Sequence, residues 1–324
     1  MTCSNPLVLY KGRDGKMTKN PSKAINPQSP GVLIPCGHCM ACRLDTARRW
    51  SYRCMFEASA YEHNSFITLT FDSAKFPDDH PKESLSKEWM KSYLKRFREA
   101  IRYEYGVTIR YYLCGEYGDN HQRPHYHAII FGFDFPDKKL WSRRRGNIVY
   151  RSAFLEKIWP YGFSTIGSVT VDSCGYVARY VTKKITGDMA KDHYGDREPE
   201  FQLMSLRPGI GYSWFEKFWS DVYPQDLVLI KKRNKVYKDK PPRIFDQWME
   251  KKDKDLIMQV RLERSIEGLK RMFEKDWAFK IGPFTNIDLS QIARDMKVPT
   301  EVLKDSVKTL HRHLEKDMVK FSGP

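Results

Sequence analysis

Short segments in which apolar and hydrogen-bonding side chains alternate predict the strands of this chain. Residues 66–71 read FITLTF, and a period of two is the pattern of a half-buried strand. Two further strand-like segments, 108–116 and 125–133, are separated by the turn-forming residues GDNHQRP at 118–124. A fourth strand is predicted over 163–171.

Apolar residues at three-to-four spacing predict helices between these strands. Over residues 84–105 the apolar positions fall on one helix face. Residues up to 185 predict another helix, with Asp172 or Ser173 as its cap. Two more helices are predicted over 43–61 and 154–159. The resulting order of elements is that of an α+β fold, a central antiparallel β-sheet flanked by helices.

The composition divides the chain into three regions. Five prolines in the first 35 residues predict an irregular N-terminal arm, and the region 1–61 adds a cysteine cluster and a basic helix to it. Residues 62–190 hold the alternating pattern and are predicted to be the central domain. Residues 191–324 are predicted to be a basic, mainly helical C-terminal region, with helices over 254–279 and 287–321.

The charge balance predicts a polyanionic partner. Lysine and arginine outnumber aspartate and glutamate by 56 to 40, a formal net charge of +16. Charge alone leaves nucleic acid and membrane surfaces open. The chain shows neither an apolar stretch of about 18 residues nor a signal-peptide pattern, which predicts a soluble intracellular protein. Its seven cysteines favour thiols or metal ligands over a disulfide framework.

A histidine pair is the sharpest candidate for chemistry. Residues 123–131 read RPHYHAIIF, and on a strand His125 and His127 point to the same face. A short connection to the preceding strand would bring Glu116 near them as an oxygen ligand. This nitrogen and oxygen set favours Mn²⁺ or Mg²⁺ with open positions over a closed zinc site. The competing interpretation is a pair of inert histidines at the edge of the core.

Two tyrosines form the second candidate. Tyr176 and Tyr180 are four residues apart, hence neighbours on one helix face, and Lys183 lies one turn beyond. A tyrosine hydroxyl is a poor nucleophile at neutral pH unless a base or cation assists it. A metal held by the histidines and Glu116 would assist it by polarising a phosphate oxygen. The alternative is an aromatic face packed on the sheet.

Cysteines and arginines supply the remaining candidates. A structural zinc site is a candidate because of the spacing of Cys36, Cys39, Cys42 and Cys54, with His38 nearby. The alternative is an ordered turn with semi-buried thiols. Phosphate contacts, with base stacking on interleaved aromatic residues, are expected from Arg43, Arg48, Arg49, Arg53, Arg143, Arg144, Arg145, Arg179 and Lys184.

Three segments together resemble the motifs of the HUH endonuclease superfamily, which includes the rolling-circle replication initiators. Residues 66–71 resemble its first motif, residues 124–131 its second, and residues 176–184 (YVARYVTKK) its third. Tyr126, between the two histidines, is less apolar than the family's pattern.

The resemblance extends to one group within that superfamily and covers residues 34–215. The paired tyrosines and the GEYG of residues 115–118 are most similar to the initiators of the Microviridae. Within these, the PCGHCMACR of residues 35–43 and the LRPGIG of residues 206–211 resemble the gokushovirus branch.

The resemblance implies a nick in single-stranded origin DNA. A tyrosine would attack the scissile phosphate, keep a 5′-phosphotyrosine link and leave a 3′-hydroxyl primer, and the second tyrosine would later help to rejoin the displaced strand. Tyr180 has Lys183 at the spacing of the family's Tyr-x-x-Lys signature, so Tyr180 is expected to attack first. Lys183 is expected to act on the phosphate or the leaving oxygen.

The implied partners are origin DNA, a host helicase and a DNA polymerase in the bacterial cytoplasm, because the chain has no phosphate-loop motif for its own motor. Plasmid initiators, relaxases and single-strand transposases share the chemistry, but their single-tyrosine versions lack the pair. From another class, the chain could be a non-catalytic protein that binds single-stranded nucleic acid.

Overall fold

In the computed structural model, residues 3–27, 31–118, 121–144, 147–185, 187, 189–232 and 234–278 are described. The chain divides into two compact units, Met1–Glu216 and Lys217–Pro324. The strands are β1 (Leu7–Lys11), β2 (Met17–Thr18), β3 (Val32–Ile34), β4 (Asn64–Phe71), β5 (Arg110–Tyr117), β6 (Pro124–Phe131), β7 (Lys139–Arg144), β8 (Asn147–Arg151), β9 (Gly162–Gly167), β10 (Phe201–Met204), β11 (Val228–Lys232) and β12 (Lys235–Asp239). The helices are α1 (Met40–Ser59), α2 (Lys87–Tyr105), α3 (Ala153–Ile158), α4 (Val171–Lys183), α5 (Met189–Tyr194), α6 (Tyr212–Val222), α7 (Arg243–Lys252) and α8 (Lys254–Ala278).

A seven-stranded antiparallel sheet is the centre of the first unit. Its strand order is β10-β5-β6-β4-β9-β8-β7. The predicted α+β class with a central antiparallel sheet is therefore confirmed. The hairpin of β7 and β8 and the edge strand β10 were not predicted. β10 pairs with β5, so the sheet includes residues beyond position 190.

Side chains alternate between the two faces of this sheet. One face packs against α2 and α3 through a large cluster that includes Ile67, Phe97 and Trp159. The opposite face carries a smaller cluster around Tyr112 and Val177, with α1 and α4 packed over it. We call this second face the helix α4 face. The polar ends of β4, β5 and β6 on the helix α4 face hold the candidate site.

Local signals explain where the helices begin and end. Ser86 caps α2 by accepting from the backbone N–H of Trp89, and Gly106 ends that helix with φ of 68°. Helix α4 is capped by Thr170 rather than by Asp172 or Ser173, as expected above. Ser173 and Thr170 bond each other's backbone N–H groups, which is a capping box.

The first 35 residues correct the expectation of an irregular arm. β1 pairs with both β2 and β3, and the three form a small antiparallel sheet. These strands are short and largely exposed, so their sequence shows little of the alternation that predicts a strand.

The second unit contains a β-hairpin and two helices. β11 pairs with β12, and α7 packs on α8 around the buried Phe245, Met249 and Ile257. The helix predicted over 254–279 is confirmed as α8. The helix predicted over 287–321 lies outside the described residues.

Candidate metal centre

Strand register brings the three predicted metal ligands together. Glu116 on β5 lies directly opposite His125 on β6, and His127 is two residues further on β6. Residues opposite each other share a face of an antiparallel pair, and so do residues two apart on one strand. All three side chains therefore lie on the helix α4 face.

Their donor atoms converge. Glu116 Oε1 lies 2.6 Å from His125 Nε2 and 3.0 Å from His127 Nε2. The side chains of Glu116 and His127 are 2% and 6% exposed, whereas that of His125 is 16% exposed. The cluster is thus buried with one more accessible edge, which suits a centre that must admit a phosphate.

The other ring nitrogen of each histidine is held by a neighbour. His125 Nδ1 lies 3.1 Å from the backbone carbonyl oxygen of Arg123, and His127 Nδ1 lies 2.9 Å from Thr68 Oγ1. When the Nδ1–H groups donate to these oxygens, both Nε2 lone pairs face the Glu116 carboxylate. Three acceptors directed at one point require a cation, and such outer contacts are characteristic of metal-binding histidines. The residues therefore fit a divalent metal.

Electrostatics keep Glu116 ionised in the metal-free protein. Burial raises the pKa of Glu116, but the hydrogen bonds from His125 and His127 outweigh burial, and the net pKa lies below its ordinary value. A carboxylate at neutral pH is the form that binds a metal.

Tyr126 departs from the family's pattern without disturbing the site. Its side chain points to the opposite face, where it is fully buried. The hydroxyl lies 3.2 Å from His80 Nε2 and accepts from the backbone N–H of Ser86 at 3.3 Å. A buried hydroxyl with such partners is tolerated in a core.

Helix α4 places Tyr176 beside the metal centre. Cys174, Val177 and Ala178 are buried and anchor the helix, whereas Tyr176 is 41% exposed. The Tyr176 ring meets His127 edge-on, with centroids 5.1 Å apart and an angle of 89°. Tyr180 lies one turn further along the same helix. The side chains of Tyr180 and Lys183 lie outside the described residues.

The cysteine cluster differs from the predicted one by one member. Cys36, Cys39 and Cys42 are joined by Cys3, and the four Sγ atoms lie within 4.8 Å of one another. Cys54 belongs elsewhere, because it points from the middle of α1 into the apolar cluster of the helix α4 face and is fully buried. Its inclusion in the zinc set is corrected.

The arginines of α1 have unequal surroundings. Arg53 donates to the backbone carbonyl of Ile210 at 3.1 Å, its guanidinium lies 3.9 Å from the centre of the Trp50 ring, and burial lowers its pKa. Arg43 donates to the backbone carbonyl of Lys184 at 2.9 Å, which links α1 to the end of α4. These two arginines hold the fold together.

The other predicted DNA-contacting residues are more accessible. Arg48 and Arg49 pair with Asp45, yet their side chains are 47% and 46% exposed. Arg143 and Arg179 are exposed, and Arg179 donates to the backbone carbonyl of Gly175 at 3.3 Å. Arg145 and the side chain of Arg144 lie outside the described residues.

Two contributors were missed by the sequence analysis. Thr68 belongs to the FITLTF strand, and its alternation places it on the helix α4 face, directly opposite His127. That alternation was the available signal for Thr68. Cys3 had no local signal, because 33 residues separate it from Cys36.

The class of protein that this fold and site define is that of the replication-associated proteins. The family of replication-associated proteins represented by ORF2 matches residues 64–185, which include β4, the histidine pair and α4. No solved structure matches the chain.

Individual relatives identify the group more closely. The chain is 29% identical over 326 residues to Replication-associated protein VP4 of Bdellovibrio phage phiMH2K, covering 97% of this chain and 100% of that protein. It is 32% identical over 295 residues to Replication-associated protein ORF2 of Spiroplasma virus 4, covering 85% and 89%. It is 31% identical over 156 residues to Replication-associated protein ORF4 of Chlamydia phage 1, covering 47% and 38%. The chain belongs to the replication-associated proteins of the Microviridae.

Within the described residues, none of the helices has the length and apolar character needed to cross a membrane.

Proposed function

We propose that this protein initiates rolling-circle replication of phage DNA by nicking single-stranded origin DNA with a tyrosine of α4. The observation that carries the proposal is the contact between the Tyr176 ring and His127, a member of the converging Glu116 and histidine cluster. A nucleophile beside a metal ligand can reach a phosphate held at that centre. Family membership supports the replication role.

Glu116, His125 and His127 would hold Mn²⁺ or Mg²⁺, as their nitrogen and oxygen donors favour. A metal bound there supplies charge that polarises a phosphate oxygen and stabilises the pentavalent transition state. The protein's own contribution is to orient the ligands. Thr68 and the Arg123 carbonyl fix the two rings, and the neighbouring helix presents the nucleophile from an exposed position.

The bond changes are balanced. The tyrosine oxygen loses its proton and attacks the scissile phosphorus, so that an O–P bond forms to the 5′ side. The bond from phosphorus to the 3′ oxygen breaks, and that oxygen gains a proton to become the primer hydroxyl. We assign Lys183 to this leaving oxygen or to the phosphate, one turn beyond Tyr180. Attack of a 3′-hydroxyl on the phosphotyrosine reverses the step and rejoins the strand.

Accessible basic residues would hold the DNA strand, among them Arg48, Arg49, Arg179 and Lys184. The 3′-hydroxyl would be extended by a host polymerase, and a host helicase would unwind the template in the bacterial cytoplasm. The salt dependence of oligonucleotide binding tests the arginines, because each lost phosphate contact reduces its slope by about one.

The four cysteines would bind a structural zinc ion. Cys3 Sγ lies 3.6 Å from Cys36 Sγ and 3.7 Å from Cys39 Sγ. Four sulfurs at about 2.3 Å from a tetrahedral zinc are ~3.8 Å apart, so little movement is needed. A hydrogen bond from the backbone N–H of Cys42 is the main cause that lowers the pKa of Cys39 to about 5, which favours the thiolate that zinc requires. The ion would join the N-terminal sheet to the start of α1.

The test of the nicking reaction is covalent capture. Labelled single-stranded oligonucleotides that tile the phage origin region are incubated with the protein and Mn²⁺, denatured and separated on a gel. Wild type is expected to give a protein-bound label, Tyr176→Phe and Tyr180→Phe to reduce it unequally, and the double variant to abolish it. The stronger single loss identifies the first nucleophile.

Two controls complete the experiment. Tyr103→Phe alters a tyrosine that is 92% exposed on α2, across the sheet from the site, and is expected to leave the adduct unchanged. Glu116→Gln keeps the shape of a ligand and removes its charge, so the adduct should fall strongly. Binding without any adduct in wild type would refute nicking and favour the alternative, a non-catalytic single-strand-binding protein.

A further inference from the structure

Three side chains form an unusual exposed stack on the strands farthest from β5. Trp141 and Phe163 are 58% and 44% exposed, and their ring centroids lie 6.2 Å apart at an angle of 65°. The Arg151 guanidinium carbon lies 4.8 Å from the Trp141 centroid and 4.4 Å from the Phe163 centroid. We call these three residues the aromatic platform.

The aromatic platform lies on the same face as the metal centre. Glu116 is opposite His125, His125 is opposite Thr70, and Thr70 is opposite Phe163. Residues in such a row share one face of the sheet. Tyr150, the neighbour of Arg151, pairs with Ile166 and packs into the core of the other face, so Arg151 points to the helix α4 face.

The separation suits a nucleic acid strand that crosses the sheet. Phe163 on β9 is two strand spacings from His125 on β6, which is ~10 Å. A stacked strand rises about 3.4 Å per nucleotide, so the platform lies roughly three nucleotides from a phosphate at the metal centre. Thr70, the residue between them in the row, is small and leaves this path low.

The chemistry of the platform fits unpaired bases. Large aromatic rings with exposed faces bind bases of any sequence by stacking. Arg151 donates to Glu156 Oε1 at 2.7 Å, which holds the guanidinium against the rings instead of leaving it free to roam. Lys139 and Arg143, exposed on the same hairpin, add positive charge for the backbone. A protein partner would not need the row that leads to the metal centre.

We infer that Trp141, Arg151 and Phe163 bind the unpaired bases of the DNA strand, about three nucleotides from the scissile phosphate. The inference rests on the proposed nicking function, since it assigns that site its flanking subsite. The platform fixes the position of the strand, and the metal centre acts on its phosphate.

Binding without cleavage tests the platform separately from the nicking reaction. Fluorescence anisotropy in EDTA compares fluorescein-labelled oligo(dT) with an abasic oligonucleotide of the same length. Stacking is worth about 1–3 kcal/mol per base, so Trp141→Ala should weaken oligo(dT) binding about 5- to 150-fold. Its affinity for the abasic strand and its salt slope should stay at wild-type values, because no phosphate contact is lost. Phe163→Leu should show the same selective loss.

Tyr103→Ala is the matched control, because it removes an equally exposed ring from the other side of the sheet. The same oligo(dT) affinity in wild type and Trp141→Ala would overturn the inference, as would an equal loss for both strands. Circular dichroism on each variant separates lost stacking from lost fold. The adduct assay on wild type keeps the outcomes apart: an adduct together with unchanged binding in Trp141→Ala refutes the platform alone.

Discussion

Thr68 offers the sharpest test of the metal centre, because it touches a ligand without being one. Its hydroxyl lies 2.9 Å from His127 Nδ1, and the opposite ring nitrogen of His127 faces Glu116. Thr68→Val keeps the β-branched shape and removes the oxygen that accepts the Nδ1 proton. The ring therefore keeps its place but loses the contact that fixes which nitrogen carries the proton.

The expected magnitude follows from burial. The His127 side chain is 6% exposed, so water has little access to replace the lost acceptor. A buried N–H without a partner costs about 1–3 kcal/mol, and loss of such an outer contact typically weakens metal binding about 10–100-fold. We expect Thr68→Val to raise the dissociation constant for Mn²⁺ at least ~10-fold.

Isothermal titration of metal-free protein with Mn²⁺ at one fixed pH measures this change. Thr68→Ser retains a hydroxyl and should recover most of the affinity. Thr165→Val removes the same group from the residue opposite Thr68 on β9, one strand further from His127, and should bind Mn²⁺ like wild type. Wild-type affinity in Thr68→Val, or an equal loss in Thr165→Val, would refute the role assigned to this hydrogen bond.

Three further predictions concern other parts of the fold. Glu57 is fully buried and accepts from Arg110 Nε at 2.5 Å and from the backbone N–H of Gly211 at 2.6 Å, so Glu57→Ala should lower the unfolding free energy by about 3–5 kcal/mol in urea titrations; an unchanged midpoint would contradict this. Cys3→Ser should remove zinc from purified protein by elemental analysis, whereas Cys174→Ala, a buried thiol outside the cluster, should retain it; zinc in both would exclude Cys3 as a ligand. The pKa of Glu116 is lowered from 4.5, so its stabilising contribution is complete above that pH and is lost as the pH falls through the lowered pKa. Metal-free Glu116→Gln should therefore lose less stability than wild type on acidification, and parallel acid curves would argue against the ionised carboxylate.

Local pattern predicted the parts of the fold that bury one face of a single element. The FITLTF alternation became β4 because one side of that strand meets the core while the other carries Thr68. The same parity put His125 and His127 side by side. Edge elements show no such contrast: β7 reads KLWSRR, with exposed residues at both parities, and its pairing depends on β8.

Long-range contacts account for the rest of what the sequence did not predict. Cys3 reaches the cluster only because β1 pairs with β3 and carries the N-terminus alongside Cys36. Cys54 has a suitable spacing but faces the other way on α1. Spacing reports which ligands are near along the chain, whereas the fold decides which are near in space.

The pairing of Gly115 with Tyr126 shows how one position fixes the register of the site. Gly115 lies directly opposite Tyr126, and an added Cβ would sit 3.0 Å from Tyr126 Cε1 and 3.1 Å from Leu85 Cδ2. Carbon atoms pack best at about 3.5–4.0 Å, so the glycine makes room for the tyrosine ring. A slip of one residue would press a side chain into that ring and turn Glu116 away from His125. The tyrosine that departs from the family's pattern is therefore matched by the glycine of the GEYG segment, and this match holds Glu116 on the metal-binding face.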